Sequence, residues 1–135
     1  MKLALSLAAI AGIVFLVLDM LWLLWLARGI YASEIGAILK PQPNLWAAMA
    51  FYLLYLVGVT FFVLVPAAES GSIVRAILLG GLFGLVAYGT YDLTNLATLQ
   101  GFTARIALID MTWGTFVTAA VSGISVAAVR VLKLV

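Results

Sequence analysis

The sequence predicts an all-α, polytopic membrane protein built as a four-helix transmembrane bundle. Composition and the length of the apolar runs carry this prediction. Of the 135 residues, 67% are hydrophobic and 9% are charged, whereas soluble domains contain about 45–50% apolar and about 25% charged residues. A membrane-spanning helix needs roughly 20 mostly apolar residues. Four spans and short connections therefore account for the chain, which we interpret as a single transmembrane domain over residues 1–135.

Four long apolar runs define the predicted spans. One acidic residue interrupts each of the first, third and fourth runs. The connections between the runs contain Pro, Gly, Ser and charged residues, which are typical of turns. We therefore expect turns and no additional helices between the spans. The spans are predicted at about residues 3–27, 44–65, 73–98 and 106–129.

The residue inventory restricts the chemistry available to the chain. It contains no Cys and no His, which removes disulfides, thiolate metal ligands and the usual haem and zinc ligands. We therefore expect neither a metal nor a cofactor. The net charge is +2 and no basic run is present, so nucleic acid is not an expected partner. The expected partner is the lipid bilayer.

Basic residues at the span edges give a prediction of orientation. An even number of spans places both termini on one side of the membrane. Four basic residues lie on that side and three on the other, so the positive-inside rule favours cytoplasmic termini by a narrow count. The side of the termini has Lys2, Arg75, Arg130 and Lys133, and the opposite side has Arg28, Lys40 and Arg105.

Three aspartates lie inside the predicted spans: Asp19 in the first, Asp92 in the third and Asp110 in the fourth. A carboxylate in the hydrocarbon region costs at least about 2.5–3.5 kcal/mol on insertion scales. At about 1.5 Å per residue, Asp19 and Asp92 lie roughly 13 Å from the membrane edge and Asp110 lies roughly 7–8 Å from it. All three distances start at the same surface. The sequence therefore predicts an acidic cluster in one half of the bilayer.

Helical spacing places polar residues beside these acids. At about 100° per residue, Tyr88 and Asn95 share a face of the third span with Asp92. Tyr52 on the second span reaches the same depth as the carboxylates. Trp22 and Trp113 each follow an aspartate by three residues. The candidate ligand-binding or proton-binding residues are Asp19, Asp92, Asp110, Tyr52, Tyr88, Asn95, Trp22 and Trp113.

The repeated Asp-x-x-Trp spacing has two explanations. The segments are Asp19-Met20-Leu21-Trp22 and Asp110-Met111-Thr112-Trp113. The two spans run in opposite directions, so the repeat is not a simple duplication. Chance explains it at least as well as a shared role does.

The acidic cluster admits a structural and a functional interpretation. In the first, protonated or hydrogen-bonded acids join the helices, with Arg28 or Arg105 bending inward as partners. In the second, the acids line a polar cavity of a small transporter or binder of a proton, a cation or a lipophilic solute. Two further functions stay open: an intramembrane enzyme of lipid modification that uses Asp92 and Asp110 as acid and base, and an assembly factor of a larger complex. The sequence assigns no catalytic residue with certainty, so enzyme activity is left undecided.

Small residues recur at four-residue intervals on the last two spans. Gly80 and Gly84 form a GxxxG step, and Gly114, Thr118 and Ser122 repeat in the same way. This pattern lets helix backbones approach closely in lipid. We expect it chiefly to pack the helices within the chain, with a homodimer through the Gly80/Gly84 face as the alternative.

Four segments of the chain together carry a family resemblance: residues 15–22, 51–55, 84–99 and 110–114. The most specific part is Tyr91-Asp92-Leu93-Thr94-Asn95-Leu96-Ala97-Thr98-Leu99. These segments resemble the bacterial membrane-protein family catalogued as domain of unknown function 2177, and the resemblance covers nearly the whole chain. It implies a small four-helix protein of the bacterial inner membrane. The family has no established activity, but its members are often encoded near enzymes that modify membrane fatty acids, which favours a lipophilic solute.

Overall fold

The structure, a computed structural model, describes residues 1–134. Within that range every regular element is helical and none is a strand. The six α-helices are α1 Lys2–Leu21, α2 Arg28–Ile35, α3 Leu45–Val59, α4 Val65–Glu69, α5 Ile73–Thr98 and α6 Ala104–Val131. A single π-helical turn at Trp22–Leu26 extends α1, and another at Thr60–Leu64 joins α3 to α4.

All of these elements except α2 combine into four helices that are long and apolar enough to cross a membrane. Their lengths are 25, 25, 26 and 28 residues. At 1.5 Å per residue, each exceeds the roughly 30 Å thickness of the hydrocarbon core. The prediction of an all-α membrane protein with four spans is confirmed. The spans are Lys2–Leu26, Leu45–Glu69, Ile73–Thr98 and Ala104–Val131.

Polar side chains mark where three of the spans begin. Asn44 accepts hydrogen bonds from the backbone N–H groups two and three residues ahead, at 3.1 and 3.2 Å. Ser72 and Thr103 each accept one from the N–H three residues ahead, at 3.1 and 3.3 Å. Such caps satisfy donors that have no partner within the helix. They explain why the helices start directly after these residues.

Two connections differ from the sequence prediction. The sequence predicts only turns after the first span, but this segment forms the helix α2. Its Ile35 packs in an apolar cluster with Phe102, which precedes α6, and with Ile106 on α6. The second span was expected to end at Pro66, but it continues to Glu69. Pro66 lies in the first turn of α4, where a missing N–H is tolerated.

The helices α5 and α6 form the most extensive helix pair of the bundle. A Cβ atom on Gly84 would meet the carbonyl oxygen of Gly114 and the side chain of Thr118, and one on Gly80 would meet the side chain of Ser122. A step of four residues forward on α5 thus corresponds to a step of four residues back on α6. The two helices are antiparallel and in close backbone contact.

The small-residue face of α5 is occupied within the chain. Gly80 and Gly84 are both buried against α6. Of the two uses that the sequence allowed, internal packing is the one that this structure contains. A homodimer through the same face would require α6 to move away.

Apolar side chains form both the core and the outer surface of the bundle. Leu7, Leu64, Val117 and Val121 are fully buried where the four spans meet. Leucine, valine, isoleucine and phenylalanine side chains also cover the outside, including Leu54 at 73% exposed and Phe61 at 70% exposed. In a bilayer this outer surface contacts lipid, so buried polar groups are the informative exceptions.

Candidate functional site

A pocket of about 780 Å³ lies at the end of the bundle that carries the three aspartates. Residues of α1, α2, α3, α5 and α6 surround it, and its lining is mostly apolar. Asp19 and Asp110 are its acidic residues. Its aromatic residues are Trp22, Tyr31, Phe51, Tyr52, Tyr88, Tyr91 and Trp113.

Asp19 connects three of the spans. Its side chain is only 5% exposed. The Tyr52 hydroxyl on α3 donates a hydrogen bond to one carboxylate oxygen at 2.7 Å, and the Trp113 indole N–H on α6 donates to the other at 3.4 Å. Each oxygen of the carboxylate therefore accepts one bond from another helix. The depth argument from the sequence placed Tyr52 and Asp19 at one level, and the structure brings them into contact.

Asp110 has a corresponding environment closer to the membrane edge. It is 8% exposed and accepts a hydrogen bond from the hydroxyl of Tyr31 on α2. The same hydroxyl accepts a hydrogen bond from the indole N–H of Trp22 at 3.2 Å. Trp22, Tyr31 and Asp110 thus form a chain of polar contacts from α1 through α2 to α6.

The two Asp-x-x-Trp segments interlock. Trp113 donates directly to Asp19, and Trp22 reaches Asp110 through Tyr31. The two indole rings stack, with centroids 4.4 Å apart and planes 4° from parallel. Antiparallel helices place the aspartate of one segment beside the tryptophan of the other. The repeat therefore has a common structural role, which favours this reading over chance.

Asp92 lies outside the pocket wall. It is 0% exposed, and neither of its carboxylate oxygens has a hydrogen-bond partner in the structure. Asn95, one turn further along α5, is half-buried and is not among the lining residues. Of the candidate residues from the sequence, these two are therefore not on the pocket surface. The lining includes the other six: Asp19, Asp110, Tyr52, Tyr88, Trp22 and Trp113.

Tyr31 is the main site residue that the sequence analysis missed. It lies on α2, where the sequence pattern predicts a turn, and its side chain contacts Asp110. Tyr31 and Ile35 are four residues apart and so share one helix face. That spacing of an aromatic and an aliphatic residue is the signal that would have indicated an amphipathic helix lying over the pocket.

A polar clamp holds α2 on α6. Glu34 forms an ion pair with Arg105 at 3.0 Å and accepts a hydrogen bond from Thr103 at 2.6 Å. Arg105 is 72% exposed, so it is not the inward partner of an aspartate that the structural interpretation considered. Its ion pair instead links α6 to α2, the helix that carries Tyr31.

The Tyr31 hydroxyl is suited to donate a hydrogen bond at every physiological pH. Burial and the neighbouring Asp110 carboxylate both raise the pKa of the Tyr31 phenol well above its ordinary value. A raised phenol pKa keeps the O–H group intact at all physiological pH values. Tyr31 is therefore a fixed hydrogen-bond donor and not an acid in this site.

The charge balance of the pocket is acidic. Two carboxylates line it, and Arg28 is the one basic residue in its wall within residues 1–134. Each carboxylate accepts bonds from neutral donors and has no ion-pair partner in that range. Aromatic faces also attract cations. No group of three acidic residues in the described part of the chain is arranged to hold a metal ion.

The stacked tryptophans give a prediction for stability. We expect Trp22→Phe and Trp113→Phe each to lower the free energy of unfolding, because each removes an indole N–H donor and weakens the stack. In a double-mutant cycle, the pair should show a coupling of about 0.5–1.5 kcal/mol. Trp25→Phe is the matched control, since Trp25 is 82% exposed and makes neither contact. Additive effects of the two substitutions, measured by unfolding in detergent, would contradict the stacking role.

Comparison with known proteins agrees with the architecture. The family model described as "Predicted membrane protein (DUF2177)" matches residues 4–127. No curated protein and no solved structure matches the chain. The family match includes all four spans in part or in full and every residue of the pocket wall. The chain therefore belongs to the DUF2177 family of predicted membrane proteins.

Proposed function

We propose that this protein binds a lipophilic monovalent cation in the pocket between α1, α2, α3, α5 and α6, as a small membrane transporter or binding protein. The observation that supports the proposal best is the position of two carboxylates, Asp19 and Asp110, in an aromatic pocket of about 780 Å³. Pockets of about 300–1,000 Å³ are typical of sites for small organic molecules.

The acidic residues favour a cationic ligand. Asp19 and Asp110 are both more than 90% buried, where an unpaired charge is costly. Their donors Tyr52, Trp113 and Tyr31 are neutral, so they orient the carboxylates without cancelling their charge. A bound monovalent cation would compensate one of these two negative charges and thereby stabilise the site. Attraction to the tryptophan and tyrosine faces would add about 0.5–2 kcal/mol.

The rest of the lining favours a ligand with an apolar body. Most of the pocket surface is apolar, and Phe51, Leu39 and Leu23 contribute to it. The pocket also lies at the level of the membrane-spanning helices, where a lipophilic molecule concentrates. An organic cation with aromatic or aliphatic groups therefore fits the lining better than a hydrated metal ion does.

We propose an inner-membrane location with both termini in the cytoplasm. Four basic residues at the terminal side against three at the other support this orientation. The pocket then opens toward the outer half of the bilayer. Fusing a topology reporter to either terminus tests this orientation, and a reporter active outside the cytoplasm would contradict it.

Binding of tetraphenylphosphonium tests the proposed function. We expect the protein in lipid nanodiscs to bind this cation and to discriminate against tetraphenylborate, an anion of nearly the same size and shape. Asp19→Asn removes one of the two negative charges and should weaken cation binding about tenfold or more. Isothermal titration calorimetry, corrected with empty nanodiscs for partition into lipid, gives the affinities.

Glu69→Gln is the matched control for this experiment. Glu69 is exposed at the opposite end of the bundle, so the same loss of a negative charge should leave the affinity unchanged. Equal weakening by Asp19→Asn and Glu69→Gln would show a nonspecific effect of charge. Equal affinity of the wild-type protein for the two probes would contradict the proposal.

A further inference from the structure

Asp92 is buried without a partner at the interface of α5 and α6. It is 0% exposed, and both of its carboxylate oxygens lack a hydrogen bond within the described residues. Asp19 and Asp110, by contrast, each accept bonds from phenol or indole donors. A fully buried and unpaired carboxylate is highly unfavourable, and a neutral carboxylic acid is far less so. Asp92 must therefore obtain its stability from a proton or from a neighbour.

The register of the helix pair places Asp92 opposite Asp110. Gly84 faces Thr118, and Tyr88, four residues further on, covers Gly114. One more step of four residues on each antiparallel helix leads to Asp92 and Asp110. The two carboxyl groups are accordingly electrostatic neighbours across the helix pair. Asp110 faces the pocket and Asp92 lies behind it.

The carboxyl pair has no basic partner among the residues that the structure describes, because Arg28, the basic residue of the pocket wall, forms no ion pair with either group. Asp110 on α6 faces Asp92 on α5. The phenol of Tyr31 on α2 and the phenol of Tyr91 on α5 both lie near the two carboxyl groups. Asp19 on α1 adds a further negative charge near Asp110. Within residues 1–134, no Lys or Arg forms an ion pair with any of these aspartates. Two adjacent buried carboxylates without a cation cannot both stay ionised, and such pairs hold one proton between them.

We propose that Asp92 and Asp110 share one proton, and that a cation entering the pocket at Asp110 displaces it. In the empty site the Asp92 carboxylic acid donates its O–H to the Asp110 carboxylate, which also accepts from Tyr31. When the cation binds beside Asp110, the Asp92 O–H bond breaks and the proton passes by way of Asp110 and the pocket to water. Both carboxylates are then ionised, with Asp110 next to the cation and Asp92 behind it. The displacement rests on the proposed cation-binding function, whereas the shared proton does not.

Infrared difference spectroscopy tests the shared proton without any ligand. In nanodiscs, raising the pH should remove a C=O stretching band of a protonated carboxyl group as the pair loses its proton. Asp92→Asn should abolish this band, because the amide still donates to Asp110 but carries no acidic proton. Glu69→Gln should leave the band unchanged. A band that is absent in the wild-type protein, or that persists in Asp92→Asn, would overturn the shared proton.

Calorimetry with tetraphenylphosphonium tests the displacement. Titrations in buffers of different ionisation enthalpy should show release of about one proton per cation bound, and the affinity should rise about tenfold per pH unit while the pair is protonated. Asp92→Asn should still bind the cation but release no proton. Binding without proton release in the wild-type protein would overturn the displacement and leave the cation-binding function intact. Absence of binding would overturn both the displacement and the cation-binding function. The infrared band alone would then show whether the two carboxyl groups share a proton.

Discussion

Replacing Asp19 and Asp110 together by asparagine is expected to reverse the charge preference of the pocket. The double variant keeps the volume and the aromatic wall but leaves Arg28 as the charged residue in the lining. A charge pair at about 4 Å is worth about 4 kcal/mol at an effective dielectric constant of about 20. Even with part of this offset by desolvation, affinity for tetraphenylphosphonium should fall at least about 100-fold, and tetraphenylborate should become the preferred probe.

The measurement is the ratio of the two affinities in nanodiscs, with empty nanodiscs as the reference for lipid partition. Adding Arg28→Gln to the double variant should then abolish the preference for the anion as well. A double variant that still prefers tetraphenylphosphonium would show that the cation does not bind beside these carboxylates. A variant that binds neither probe, yet has the unfolding stability of the wild-type protein, would show that the carboxylates maintain the shape of the pocket and do not set its charge preference.

Much of the acidic site could be predicted from the sequence because depth follows from residue counting. Helices rise by a fixed distance per residue, so residues counted from a common membrane edge reach comparable depths. This argument brought Asp19 and Tyr52 to one level, and they are hydrogen-bonded at 2.7 Å. The same argument put Asp92 with the other acids, and its position facing Asp110 follows from the antiparallel pairing of α5 and α6.

Rotation about the helix axis and contacts between distant segments could not be predicted in this way. Asp92 and Asn95 share a face with Tyr88, yet Tyr88 reaches the pocket while Asp92 lies behind Asp110. Which part of a polar face meets a cavity depends on the tilt and separation of the neighbouring helices. These are set by packing of the whole bundle and not by the period of one helix.

The helix α2 shows a second limit of sequence reasoning. Its eight residues are too few to form a stable helix alone. It is held by tertiary contacts that lie far apart in the chain, such as the ion pair of Glu34 with Arg105. The local sequence pattern therefore predicts a turn there and gives no sign of Tyr31, although Tyr31 contacts Asp110 directly.

Close packing of α5 on α6 leads to the largest stability effect that we expect. A Cβ atom at Gly84 would overlap the backbone oxygen of Gly114 and the Thr118 side chain, and a backbone atom cannot rotate away. Gly84→Ala should therefore separate the two helices locally and lower the free energy of unfolding by about 1–3 kcal/mol or more. Resistance to unfolding in increasing proportions of denaturing detergent, followed by circular dichroism, provides the measurement.

Gly81→Ala supplies a matched control on the same helix. Its Cβ atom would lie 3.7 Å from the side chains of Ala119 and Thr115, which is ordinary van der Waals contact. Alanine is also the better helix former by about 0.5–1 kcal/mol. Gly81→Ala should thus be neutral or slightly stabilising, three residues from a disruptive change of the same size.

Since the register that buries Gly84 also sets Asp92 against Asp110, Gly84→Ala should weaken the infrared band of the shared proton, and Gly81→Ala should preserve it. Equal effects of the two substitutions on stability would contradict the packing on which this register depends.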